Sequence, residues 1–331
     1  MRRLISVFLL FLLLAAGVTA WQWSAWRDFL QSPVNPDGPV ALWIAPGTSF
    51  GGLVRQFEAL GLARPDWRWR LYGRLHRPGL QVGEFLIDAN QTLPALLARL
   101  ESGRVREHRW TLVEGWTLRQ MRADLADDPR LRHESRGMDT EALMAALDCA
   151  GCEAEGRFLP ETYFFIRGSS DLDLLQRAHE AMDRALADAW ARRDPELPID
   201  SPEELLILAS LIERETGDPS ERAQVAGVFK RRLERGMRLQ TDPTVIYGLG
   251  EGFDGRLRRV HLRTDHPWNT YTRHGLPVTP IAMPGRASLE AAARPADGTA
   301  LYFVAKGDGT HQFSDTLDQH NAAVDRYIRG R

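Results

Sequence analysis

The segment Ser201 to Pro219, SPEELLILASLIERETGDP, closes on two carboxylates, Glu213 and Glu215, whose place beside a long apolar stretch suits proton transfer. Ser201, Pro202 and Glu204 predict an N-cap, a proline in the first turn and a glutamate able to bond back to the cap. Gly217-Asp218-Pro219 predicts a glycine C-cap followed by a residue that cannot extend the helix, so Glu213, Glu215 and Thr216 fall in the last turn. At roughly 100° per residue the apolar side chains average to a direction about 20° from Glu215 and about 140° from Glu213, which turns Glu215 inward and Glu213 away. Desolvation and the negative end of the helix dipole both favour a protonated Glu215, the state a general acid needs. A structural glutamate paired with Arg214, Arg222 or another arginine fits the same position.

Other reactive residue types carry less. Cys149 and Cys152, in DCAGC, follow a helical stretch (Glu141 to Leu147) and precede a loop, the reverse of a thioredoxin-like redox motif, and read as a local clip or two free thiols. His311 and His320 have no usual metal-ligand spacing, so no metal and no other cofactor is expected. A net charge of -2 offers no basic field, so nucleic acid is not expected as a partner.

The elements that must position these groups can be traced along the chain. Arg2 and Arg3 precede an uncharged run, Leu4 to Trp21, just long enough to span a bilayer with its N-terminus cytoplasmic. Val18-Thr19-Ala20 also has the form of a signal-peptide cleavage site, while Trp21, Trp23 and Trp26 resemble the interfacial belt of a retained anchor. Either way the bulk is exported. Gln31 to Pro39 reads as a linker, with folding from near Val40. Three strand-turn-helix patterns follow: Val40–Ile44 then Phe50–Leu60, Gln81–Ile87 then Leu93–Leu100, and Arg109–Val113 then Leu118–Leu125 behind a Thr117 cap. In DWRWRLYGRLHR, Trp67, Leu71 and Leu75 are expected to form the core stripe of a helix with arginines on its wet face. Leu172 to Trp190 predicts a long amphipathic helix, and beyond Gly250 loops, a short helix (Leu289 to Ala293) and the strand Ala300 to Ala305 could wall a cleft.

Several stretches in order resemble one family, the MltG (YceG-like) endolytic murein transglycosylases. They are Glu155-Gly156 with LPETY, LASLIERET, RLERGMRLQTDPTVIYGLG, WNTYTRHGLP, IAMPGRASLEAAARP, LYFVAKGDGTHQFSDT and His320-Asn321. The likeness is thin before Gly115 and dense after Gly156. It implies an α+β protein with an N-terminal transmembrane helix (residues 1–30), the linker (31–39), a small LysM-like α/β module (40–104) and a larger mixed α/β catalytic domain (105–331). It further implies a single-pass protein of the cell inner membrane with a periplasmic bulk, acting on peptidoglycan glycan strands and partnered with cell-wall synthases. Trp268 where tyrosine is usual, Met283 where asparagine is usual, and the cysteine pair depart from the family pattern.

The resemblance carries the catalytic role to Glu215 and suggests that Thr216 orients it. One glutamate suffices for a lytic transglycosylase, because the nucleophile is the substrate's own C6 hydroxyl and the product is a 1,6-anhydro end. A hydrolase needs a second carboxylate. Glu213 sits on nearly the opposite helix face, which leaves Glu161, Asp242 and Asp265 as partners for that alternative. Gln240, Asp242, Tyr247, Asn269 and Tyr271 lie in the matching motifs as candidates to bind sugar rings, against turn or core roles for the same residues. A non-catalytic, membrane-tethered peptidoglycan-binding scaffold is the third reading.

Overall fold

Alternation of apolar residues in two short strands sets the first core. The computed structural model describes residues 2–34, 38–62 and 66–330, a mixed α+β chain in two units, residues 1–108 with 166–168 and residues 109–165 with 169–331. In the smaller unit α1 (Arg2–Gln31) leads into β1 (Val40–Ile44), α2 (Phe50–Ala59), α3 (Trp67–His76), β2 (Gly83–Ile87) and α4 (Leu93–Glu101). β1 and β2 pair antiparallel with Leu42 opposite Phe85. Leu42, Ile44, Phe85 and Ile87 share a buried face against Leu53 and Phe57 of α2 and Leu93, Leu96 and Leu100 of α4. Ser49 caps α2 through Gly52 N.

One expectation fails in this unit. The stripe of α3 is turned: Trp69 (5% exposed) and Tyr72 (7%) enter the core, whereas Trp67 (61%) and Leu75 (64%) face outward. The two buried aromatics meet Phe29 and Trp26 of α1, and larger rings outcompete the leucines for that contact. The last turn of α1 packs on the core through Trp26, Phe29 and Leu30, and Val34 is buried with its N–H donated to Gln91 O. Residues 35–37 of the expected linker lie outside the described residues.

The strand β3 (Glu107–Thr111) leads into the larger unit, where it pairs with β4 (Thr162–Ile166). There follow, in chain order around these strands, α5 (Leu118–Ala126), α6 (Thr140–Ala146), α7 (Asp171–Ala191), α8 (Pro202–Glu215), α9 (Arg222–Glu234), α10 (Asp242–Leu249), α11 (Arg259–Arg263) and α12 (Arg286–Ala293). An antiparallel hairpin, β5 (Tyr302–Ala305) with β6 (His311–Ser314), and α13 (Leu317–Tyr327) complete it. Cys149 and Cys152 form a disulfide after α6. α8 is the central element, with α7, α9, α10 and α12 packed around it and Leu205 to Ile212 buried without a break.

Candidate active site

Ser201 starts α8 by accepting from Glu204 N, with Pro202 in the first turn. The helix ends at Glu215. Thr216, extended at φ -136°, is the C-cap in place of the expected glycine, and its buried hydroxyl accepts from Asp218 N.

The inward-outward contrast between the two glutamates does not hold. The Glu213 side chain is 5% exposed, accepts from Gly285 N at 2.9 Å and Ser288 Oγ at 2.7 Å, and lies 3.5 Å from Arg222. Leu205 to Ile212 are buried on every face of the helix, so an averaged apolar direction cannot tell which of the two glutamates meets water. The consequence bears on the chemistry. Among the described residues the arginine pairing falls on Glu213, which also holds the N-terminus of α12, and not on Glu215.

Glu215 retains partial access to solvent but is densely surrounded by protein atoms. Loss of hydration pushes its carboxyl up to about 7. The Thr241 hydroxyl opposes this rise, the charge of Asp242 adds to it, and His311 and Arg232 oppose it more weakly. Thr241 Oγ1 is buried and meets no hydrogen-bond geometry in the structure, so it acts on the carboxyl as a neighbouring dipole.

The residues around this carboxyl are fixed from behind. Thr241 N donates to Thr270 Oγ1, and Thr244 and Thr270 hydroxyls meet at 3.0 Å, which locks the start of α10 to the turn after Asn269. Gln240 immediately before adopts φ 51°, a left-handed conformation that costs a non-glycine residue about 1 kcal/mol, and its side chain is exposed. Asp242 is exposed and accepts from the Tyr271 hydroxyl at 2.5 Å. Arg232 is buried beneath the hairpin. It donates to Leu301 O and Leu239 O and lies over the Tyr302 ring, so its charge is balanced by carbonyl dipoles rather than by Glu215. Glu221 fastens β6 by accepting from His311 N and pairing with its Nδ1 at 2.7 Å. His320 stacks on Tyr302, and burial followed by the Arg232 charge lowers its pKa and favours the neutral ring.

The sugar-binding candidates therefore divide. Asp242 and Tyr271 lie within electrostatic reach of Glu215, and Gln240 directly precedes Thr241 with an exposed side chain. Asn269 is fully buried, with its amide donating to Thr264 O and its carbonyl accepting from Tyr271 N, and it serves as the pin of that turn. Tyr247 belongs to an adjoining cleft of about 630 Å³ lined by Glu155, Arg214, Tyr247, Phe253, Trp268 and others. Glu215 does not line that cleft, but Arg214 of the same turn does. Of the partner carboxylates, Glu161 and Asp265 are exposed and lie near or pair with Arg286 and Arg273. Only Asp242 acts on Glu215.

One group escaped the sequence reading. Glu155 is buried, accepts from Leu118 N at the start of α5 and from the Tyr247 hydroxyl, and burial pushes it up to about 7. Its place in the EGRFLPETY stretch was visible, but nothing local signals that a loop glutamate will be enclosed by α5 and α10.

The apolar α8 thus ends in a desolvated carboxyl with no arginine partner among the described residues, close to Thr241 and Asp242 at the start of α10 and to His311 of the C-terminal hairpin. The sequence profile of the YceG-like family matches residues 42–326, and the chain belongs to that family. It is 30% identical over 322 residues to an endolytic murein transglycosylase of Bacillus subtilis, covering 91% of this chain and 89% of that protein. A protein of the same name from Streptococcus pneumoniae strain D39 is 24% identical over 361 residues, and the alignment spans 65% of its length. The crystal structure of a YceG-like protein from Listeria monocytogenes superposes with a TM-score of 0.57 at 27% identity, covering 86% of this chain and 98% of that one.

Proposed function

We propose that this chain is an endolytic peptidoglycan lytic transglycosylase, a lyase that cleaves the MurNAc-GlcNAc glycosidic bond of nascent glycan strands and leaves 1,6-anhydro-MurNAc ends. The observation that carries the reading is the state of Glu215: desolvated, without an arginine partner, and poised near neutrality. As an acid it protonates the glycosidic oxygen as the C1–O bond breaks. The resulting carboxylate then takes the proton of the C6 hydroxyl as that oxygen closes on C1, and no water is consumed. In this reading Gln240, Asp242 and Tyr271 hold the sugar, and Tyr247 serves the adjoining cleft. Thr216 shapes the loop after the acid.

α1 is the one helix among the described residues long and apolar enough to cross a membrane. We read it as a retained single-pass anchor in the cell inner membrane, N-terminus cytoplasmic and bulk periplasmic, and the β1-α2-α3-β2 arrangement as the LysM-like module. A site that cuts strands beside the membrane would terminate glycan elongation, with cell-wall synthases as partners. The action of Asp242 on Glu215 favours one second reading, a two-carboxylate hydrolase.

The test is mass spectrometry of soluble products after incubating detergent-solubilised full chain with purified peptidoglycan, beside Glu215→Gln and Glu155→Gln. Products one water lighter than hydrolytic ones, lost with Glu215→Gln, are expected. Hydrolytic products would select the two-carboxylate enzyme, loss confined to Glu155→Gln would move the acid, and intact binding without cleavage by the unaltered chain would leave a scaffold.

A further inference from the structure

We propose that the outward face of α3, with Trp67, Arg70 and Arg74, and the α2–α3 groove beside it dock on an anionic phospholipid surface where α1 leaves the bilayer. This rests on the reading of α1 as a membrane anchor.

The depth of α3 follows from the length of α1. Leu4 to Trp26 carries no charge, and a hydrocarbon core takes about 20 helical residues, which places its edge near Trp23. At about 1.5 Å per residue, Ala25 stands about 3 Å and Phe29 about 9 Å further along the axis. The headgroup layer on each side is about 5–7 Å thick. Ala25 and Trp26 therefore fall within that layer and Phe29 just past its outer edge, and α3 is fastened across this span. Arg68 Nη1 donates to Ala25 O at 2.6 Å and its guanidinium lies 4.9 Å from the Phe29 ring centroid. Phe29 meets Trp69 edge-on at 5.3 Å, and Trp26 stacks with Tyr72 at 6.3 Å. These contacts tie α3 to the end of α1, so a bilayer-spanning α1 brings α3 to headgroup depth.

The chemistry of the exposed side suits that depth. Trp67, Arg70 and Arg74 recur at helical spacing on one stripe, with Leu75 at its edge and Arg77 just past the helix, and all five are exposed. Beside them a groove of about 580 Å³ is lined by Phe50, Arg55, Glu58, Arg70 and Arg74 among others. Among the described residues none of Arg55, Arg70, Arg74 and Arg77 makes an ion pair, and Asp66 is already paired with Arg68. Three guanidinium groups against one carboxylate in the groove leave a net positive surface. An outward tryptophan flanked by arginines belongs at a membrane interface, where the ring meets the headgroup layer and each cation meets lipid phosphate. A zwitterionic surface offers no net charge to match it.

The test uses the full chain in nanodiscs. Leu75→Cys supplies the one reactive thiol, because Cys149 and Cys152 are joined, and carries a nitroxide. Its accessibility to a water-soluble paramagnetic relaxant is measured in phosphatidylcholine and in phosphatidylcholine mixed with phosphatidylglycerol. Shielding by about threefold or more in the anionic discs is expected, removed by Arg70→Glu with Arg74→Glu. Molar salt, which shortens the screening length to about 3 Å, should remove it without any further substitution. The double variant should keep the circular dichroism spectrum and the thermal unfolding midpoint of the unaltered chain, which certifies its fold. Equal accessibility in the two lipids, or shielding indifferent to both charge reversal and salt, overturns the docking. Failure of the chain to co-elute with the discs overturns the anchor and the docking with it, whereas co-elution with an exposed label overturns the docking alone.

Discussion

Glu215→Gln should make the larger unit more stable at alkaline pH, although it removes the proposed acid. The carboxyl titrates near 4.5 when solvated and at about 7 in the fold, so the folded chain holds this proton more tightly than the unfolded one. The stability from this group is fully present below about pH 4.5 and is lost as pH rises through about 7. Moving a carboxyl across that interval corresponds to about 3 kcal/mol. Glutamine has the same shape and no charge to desolvate. At about pH 8.5 the variant should exceed the native chain by up to about 3 kcal/mol, with partial solvent access trimming the figure, and the difference should vanish toward about pH 4.5. Native-state hydrogen exchange of the α8 amides, read by mass spectrometry at both pH values, reports the opening free energy of this unit alone. A variant less stable than the native chain at the higher pH, or a difference that does not change with pH, would refute a desolvated Glu215.

Other expectations concern its surroundings. Asp242→Asn removes a charge that raises Glu215, so the alkaline limb of kcat/KM should move to lower pH, and an unmoved limb would separate the two groups. Glu213→Gln weakens the hold on Gly285, Ser288 and Arg222 and should destabilise by about 2–4 kcal/mol in thermal unfolding, with little effect on the pH profile. Gly156 has φ 82°, and a Cβ there would stand 2.7 Å from Pro280 Cβ, so Gly156→Ala should cost about 2 kcal/mol or more in the same assay.

Local rules made much of this protein legible. Thr117 and Ser201 cap the helices their sequence contexts predict, and the three strand-turn-helix patterns appear as β1 with α2, β2 with α4 and β3 with α5. Caps and turns are settled within a few residues, so the sequence holds all the information they need. The proposed acid, Glu215, stands out in the sequence through its motif, and its desolvation follows from the apolar run before it.

Contacts distant in sequence decided the rest. Whether Trp67 or Trp69 enters the core depends on Phe29 and Trp26, some forty residues earlier, and period alone gave the wrong stripe. Glu213 is buried because α12 brings Gly285 and Ser288 to it, and Glu155 is enclosed because α5 and α10 close over a loop. A carboxylate's charge state is set by what surrounds it in space, and a one-dimensional pattern specifies only what lies beside it along the chain.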